Sequence, residues 1–152
     1  MKKTVSLVLV LSMIAVAVIG FGTAANAQTP SNTEKALALI NTFTTGDADM
    51  ARSLLAEDYI QHNLAYGTGA DAFVGSVEYL ASAEVKTTVN NIRAFEDGNK
   101  VFLQTVYNFA GAGEQVAFDI FRIDENGKIA EHWDVMETIA DEATWQNQNG
   151  KF

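Results

Sequence analysis

The stretch from Phe118 to Glu137, FDIFRIDENGKIAEHWDVME, admits few folds. In its first arm Phe118, Ile120 and Arg122 alternate with Asp119, Phe121 and Ile123. In the second, Ile129, Glu131, Trp133 and Val135 alternate with Ala130, His132, Asp134 and Met136. A period of two is that of a β-strand. Between the arms lies Asp124-Glu125-Asn126-Gly127, whose glycine supplies the positive φ that a tight hairpin connection needs. The spacing therefore predicts a hairpin with His132 and Asp134 on one face and Asp119 on one face of the neighbouring strand. Ionisable groups beside bulky apolar neighbours are costly unless they line a wet surface or a cavity. On the opposite side, Ile129, Trp133 and Val135 form an apolar row, which suggests contact with a second copy of the chain in a homodimer.

The first thirty residues are of a different kind. Lys2 and Lys3 precede an apolar run from Val5 to Phe21, and Ala25-Asn26-Ala27 follows as a small-x-small cleavage site. Residues 1–27 read as a signal peptide and 28–152 as the mature domain, secreted or periplasmic. An uncleaved anchor is the competing reading, since the 17-residue run approaches a spanning length, and the cleavage site favours removal. After cleavage no membrane association is expected. About 125 residues then remain, enough for one domain with one core. Losing Lys2 and Lys3 takes the formal charge from −9 to −11, which disfavours nucleic acid or an anionic membrane as partner. The chain has no cysteine, so disulfides, thiol nucleophiles and cysteine-ligated metals are excluded.

Along the mature chain, Ser31-x-x-Glu34 has the capping-box spacing and opens a helix over about 32–45 that ends near Gly46. Asp47 caps a second helix with Met50, Ala51, Leu54 and Leu55 on one stripe. Asp58 to Asn63, DYIQHN, reads as a short extended segment. A glycine-bearing loop leads to a third helix with Phe73, Val77 and Leu80 at helical spacing. Strands follow over Val85 to Phe95 and Val101 to Phe109, joined by Glu96-Asp97-Gly98-Asn99, and then the hairpin. The tail beyond Glu137 reads as a short helix or a frayed end. Three helices and a short strand before four consecutive strands give an α+β class, helices covering one face of a curved antiparallel sheet.

This order, with Tyr59-x-x-His62-Asn63 and the run from Phe121 to Asp134, resembles the SnoaL-like group of the nuclear transport factor 2-like superfamily. The resemblance implies a cone-shaped α+β barrel around an internal cavity, often dimeric through the outer sheet face. Leu64 stands where members commonly carry proline after His-Asn, a departure in the loop at the pocket mouth. Members include polyketide cyclases, ketosteroid isomerases and epoxide hydrolases besides proteins that only bind, so the fold alone assigns no chemistry. The resemblance directs Asp119, Phe121, His132, Asp134, Thr105 and Tyr107 into the pocket. Thr105 and Tyr107 stand where the epoxide hydrolases carry an arginine and a second aspartate, which disfavours epoxide hydrolysis.

Two function classes are thus left open. One is an exported enzyme performing cofactor-free acid–base chemistry beside a carbonyl, an isomerase, cyclase or aldol-type enzyme acting on a small apolar or carbonyl-containing substrate. Asp134 would be its general base, desolvated by Phe121, Met136 and Tyr107, with His132 and Asp119 assisting. Tyr59, His62, Asn63, Tyr107 and Phe121 would bind substrate. The other is a periplasmic or secreted protein that binds such a molecule without turnover. At single residues, Asp134 as a solvated carboxylate paired with an arginine such as Arg122, and His132 as a core histidine, are the plain alternatives. Two histidines and two aspartates without His-x-His or His-x-x-x-His spacing argue against a metal. No phosphate loop, nucleophile elbow or basic-aromatic strip is present.

Overall fold

Helix α1 (Asn32–Thr45) starts at Ser31, whose hydroxyl accepts from the Glu34 N–H at 3.1 Å while the Glu34 carboxylate accepts from the Ser31 N–H at 2.7 Å. The reciprocal bonds satisfy two donors that a helix start would otherwise leave unpaired. The helix stops at Gly46, where φ is +73° and a Cβ would lie 2.7 Å from that of Ala81. Only glycine fits both the backbone and the approach of the third helix. Asp47 caps α2 (Ala48–Leu54) by accepting from the Met50 N–H at 2.9 Å. A computed structural model supplies these coordinates and describes residues 29–152; the leader expected over 1–27 lies outside them. No helix among the described residues is long and apolar enough to cross a membrane.

Helix α3 (Ala70–Ser82) buries Phe73, Val74 and Val77. The sheet consists of β1 (Leu55–Gln61), β2 (Thr88–Asp97), β3 (Lys100–Asn108), β4 (Gln115–Ile123) and β5 (Ile129–Thr138), in the order β1-β5-β4-β3-β2. The last four strands form an antiparallel meander, as expected. β1 departs from it by pairing parallel with β5, so the sheet is mixed. A parallel neighbour needs a long connection, and the chain from β1 through α3 and three strands provides one. The sheet does not close on itself; β1 and β2 are its edges, and the helices pack on one face. Inward residues of the strands (Leu103, Tyr107, Ala117, Phe121) join Leu39, Ile40 and Val77 of the helices in one core.

Three sequence expectations change. Leu55, expected on the α2 stripe, opens β1 and is buried in the core. Residues 85–87, expected in a strand, close α3 instead: Lys86 Nζ donates to the carbonyls of Ala81 and Ala83, and α3 thereby gains the cation its C-terminus favours. Ile129, expected on the outer face, is fully buried. Ile123 pairs with Ile129 but Arg122 pairs with Glu131, so Ala130 is an extra residue, a β-bulge that turns Ile129 to the same side as His132. The tail, expected as a short helix or a frayed end, forms a short 3-10 helix at Glu142–Thr144 and then returns to the sheet, where Gln104 Nε2 donates to the Lys151 carbonyl at 3.1 Å.

Candidate active site

The register of the meander assembles the polar centre. Asp119 on β4 stands opposite Asp134 on β5 and Leu103 on β3, and His132 stands opposite Phe121 and, across the parallel ladder, Gln61 of β1. Gly127 at φ +74° closes the turn that fixes this register, its N–H donating to the Asp124 carbonyl at 3.0 Å. Asp119 and His132 are buried, and no buried side-chain nitrogen or oxygen among the described residues lacks a partner. The Tyr107 hydroxyl donates to Asp119 Oδ2 at 3.0 Å, and His132 Nε2 lies 3.3 Å from Asp119 Oδ1. A hydrogen bond there requires a proton on one of those two atoms. His132 Nδ1 lies 3.0 Å from Gln61 Oε1, which also accepts from the Asn63 N–H at 2.9 Å. Asn63 Nδ2 donates to both oxygens of Asp134, at 2.8 and 2.9 Å. The Phe121 ring stacks on His132 with centroids 4.5 Å apart.

These groups occupy one end of a cavity of about 400 Å³ between sheet and α3. Ile40, Phe43, Phe73, Leu80, Phe109 and Met136 wall the remainder, and none of the lining residues is a lysine or arginine. Tyr66 and Tyr79 line it as well while remaining exposed, which sets its opening between α3 and the loop after Asn63. Burial is the main cause that pushes the Tyr107 phenol well above its ordinary range, with Asp119 second. Tyr59 is likewise raised by burial, then by Asp134 and Asp119. Both phenols therefore keep their protons across the neutral range.

Of the sequence candidates, Asp119, His132, Asp134, Tyr107 and Phe121 line the cavity together. Asn63 stands behind Asp134, and Tyr59 is buried beneath Gln61, whose Nε2 donates to its hydroxyl at 3.4 Å. Thr105 is fully buried and accepts from Asn91 Nδ2 at 3.1 Å, outside the lining. His62 departs from expectation. It bonds Glu131 at 2.8 Å and stacks on Trp133 at 4.7 Å, off the cavity, because strand alternation that turns Gln61 inward turns its neighbour outward. Glu131 also accepts from Arg122 Nε at 2.6 Å, and the bonds from Arg122 and His62 hold its carboxyl below the usual value. Gln61 was missed, although its parity with Tyr59 was readable; Tyr66 and Tyr79 carried no periodic signal. Among the described residues, Asp119, His132 and Asp134 are the ones that could hold a divalent cation, their ligand atoms lying within 4.8 Å of one another.

The model of the family described as SnoaL-like domain matches residues 36–132, more than half of the chain. Its last matched residue is His132, so Asp134 lies just beyond. No protein of curated function matches the sequence. Among solved structures, an NTF2-like protein of unknown function from Cytophaga hutchinsonii is similar at a TM-score of 0.62 and 18% identity, covering 73% of this chain and 94% of its own. An LEH-like epoxide hydrolase of M. tuberculosis is similar at 0.61 and 17% identity, covering 70% and 82%. IdmH of Streptomyces antibioticus, a suggested polyketide cyclase, is similar at 0.57 and 18% identity, covering 71% and 93%. At such identities the likeness is one of fold.

Proposed function

The chain belongs to the SnoaL-like domain family, and from that premise we propose that its cavity performs acid–base chemistry beside the carbonyl of a small apolar substrate, as an isomerase, cyclase or aldol-type enzyme without a cofactor. The observation that carries the reading is that Asp134 and a hydrogen-bonded pair, Asp119 and His132, line one apolar cavity together. Asp134 takes a proton from the carbon next to the carbonyl. The C–H electron pair becomes the enol double bond, the carbonyl π pair moves to oxygen, and the proton held between Asp119 and His132 passes to that oxygen. A proton returned at another carbon completes an isomerisation, and attack of the enol carbon on a second carbonyl closes a ring. The lack of lysine and arginine in the lining supports a neutral substrate rather than a carboxylate or phosphate. Tyr107, which donates to Asp119, stands where an epoxide hydrolase reading would need a charged residue.

The test is deuterium exchange at the α-carbon of small cyclic ketones in D₂O, followed by NMR. Asp134→Asn keeps the shape and removes the base, and should slow exchange by roughly 10²-fold or more while ketone affinity stays nearly constant. Ketones that bind wild type and Asp134→Asn equally, with no wild-type exchange, would replace this reading with the non-catalytic binding protein.

We propose export as well, supported by the basic, apolar and small-x-small segments of residues 1–27, and a homodimer through the outer sheet face. Phe95, Phe102, Phe118 and Val135 are exposed on that face around Trp133. A two-fold axis would bury both copies of the patch together. Light scattering of wild type should give twice the monomer mass and Trp133→Glu the monomer mass; a wild-type monomer at micromolar concentration sinks the interface.

A further inference from the structure

The geometry points to Gln61 as the residue that sets the tautomer of His132 and so keeps the proton between His132 and Asp119 available for transfer. Backbone fixes the orientation of its amide. The Asn63 N–H can only donate, so the Gln61 atom it meets at 2.9 Å is the oxygen, and that oxygen faces His132 Nδ1 at 3.0 Å. An amide oxygen offers only lone pairs, so Nδ1 carries a hydrogen in every protonation state of the ring. Nε2 is left as the atom that gains or loses a proton, and it faces Asp119 Oδ1 at 3.3 Å. With Nδ1 committed, the contact holds only when one further proton sits on Nε2 or on Oδ1. A ring free of Gln61 would instead carry its single hydrogen on Nε2, donate it to the Asp119 carboxylate, and have none to release.

The surroundings leave no substitute for this constraint. Tyr107 already engages the other oxygen of Asp119, and Phe121 covers one face of the ring. The titratable groups around His132 are Asp119 from β4, Asp134 from its own strand, Tyr107 from β3, Tyr59 from β1 and, across the cavity, Tyr79 from α3. Among these groups only Asp119 is hydrogen-bonded to the ring, and it lies on the Nε2 side. Gln61 is thus a positioning residue that acts through His132. Its effect on turnover rests on the acid–base reading above; the tautomer does not.

Nitrogen-15 NMR of histidine-labelled protein decides the point, because the chain has two histidines and a His62→Asn variant assigns them. At neutral pH, wild-type His132 should be protonated at Nδ1. Gln61→Leu should move the hydrogen to Nε2, and Gln61→Glu, which keeps an acceptor in place, should retain the wild-type pattern. In the ketone exchange assay, Gln61→Leu should lower kcat about 10-fold or more at nearly constant KM, with Gln61→Glu recovering most of it. A wild-type His132 protonated on Nε2 alone, or a Gln61→Leu spectrum matching wild type, overturns the assignment. Should Gln61→Leu fail to fold, the wild-type and Gln61→Glu spectra decide by the same criterion. Absent wild-type turnover would count against the acid–base reading alone, since the spectra judge Gln61 without it.

Discussion

The β4–β5 hairpin has two faces made from alternate residues of the same strands, and they live under different rules. On the inner face Asp119, His132 and Asp134 are held by Tyr107, Gln61 and Asn63, each through a bond of defined partner and direction. On the outer face Phe118 and Val135 meet solvent, while Arg122, Glu131 and His62 pair among themselves at its rim. A buried polar atom without a partner costs its full desolvation, so order inside is obligatory. Outside, water can take over any contact that is lost, so order there is optional. Chemistry that needs fixed proton positions belongs on the first face, and association on the second.

Substitutions can break this contrast, and the largest effect should come from the inner wall. Phe121 is 1% exposed, and Phe121→Ala should lower stability by about 3–5 kcal/mol in urea unfolding of dilute protein. A loss under about 1 kcal/mol would mean that the inner face is not packed as described. Tyr107→Phe should cost about 1–3 kcal/mol, because it removes the hydroxyl and leaves buried Asp119 short of a donor. An unchanged midpoint would show that Asp119 finds another donor.

At the outer rim, Glu131→Gln should cost about 1 kcal/mol or less, and the cost should depend on pH. Arg122 and His62 hold the carboxyl below its ordinary 4.5, so its contribution is full above pH 4.5 and is lost as pH falls through the lowered folded value. The gap between wild type and variant is therefore widest near neutrality and closes in acid. A gap unchanged in acid would remove charge from the explanation. Phe118, 57% exposed, should show the smallest effect: Phe118→Ala should stay within about 0.5 kcal/mol in the dilute monomer, and a larger loss would erase the distinction between the faces.

The hairpin was legible in the sequence because two local signals agree: the period of two and a glycine at the position that needs positive φ. The capping box and the Gly46 stop were legible for the same reason, since each is settled within one helical turn. What escaped notice depends on distant partners. Nothing in residues 54 and 55 says that a helical stripe ends between two leucines; the parallel ladder with β5 decides it. Nothing in Ile-Ala-Glu at 129–131 marks a bulge, because the demand for one comes from Ile123 and Arg122 across the ladder. His62 adjoins Asn63 in the motif that carries the resemblance, although alternation alone separates it from Gln61. Asn63 lies past the strand end, where alternation no longer speaks, and only the folded loop shows that it holds Asp134.

The bulge at Ala130 gives the second strand of the hairpin something like a reading frame. Starting from the pairing of Ile123 with Ile129 that the turn imposes, an unbroken ladder would match Arg122 with Ala130, Phe121 with Glu131 and Asp119 with Trp133. A glutamate and a tryptophan would then enter the cavity, and His132 and Asp134 would stand outside. One alanine with no chemistry of its own thus decides which residues meet the substrate. Apart from His132 and Asp134, substitutions in this strand would leave its frame intact, whereas a single inserted residue between Ile129 and His132 would exchange its two faces at once.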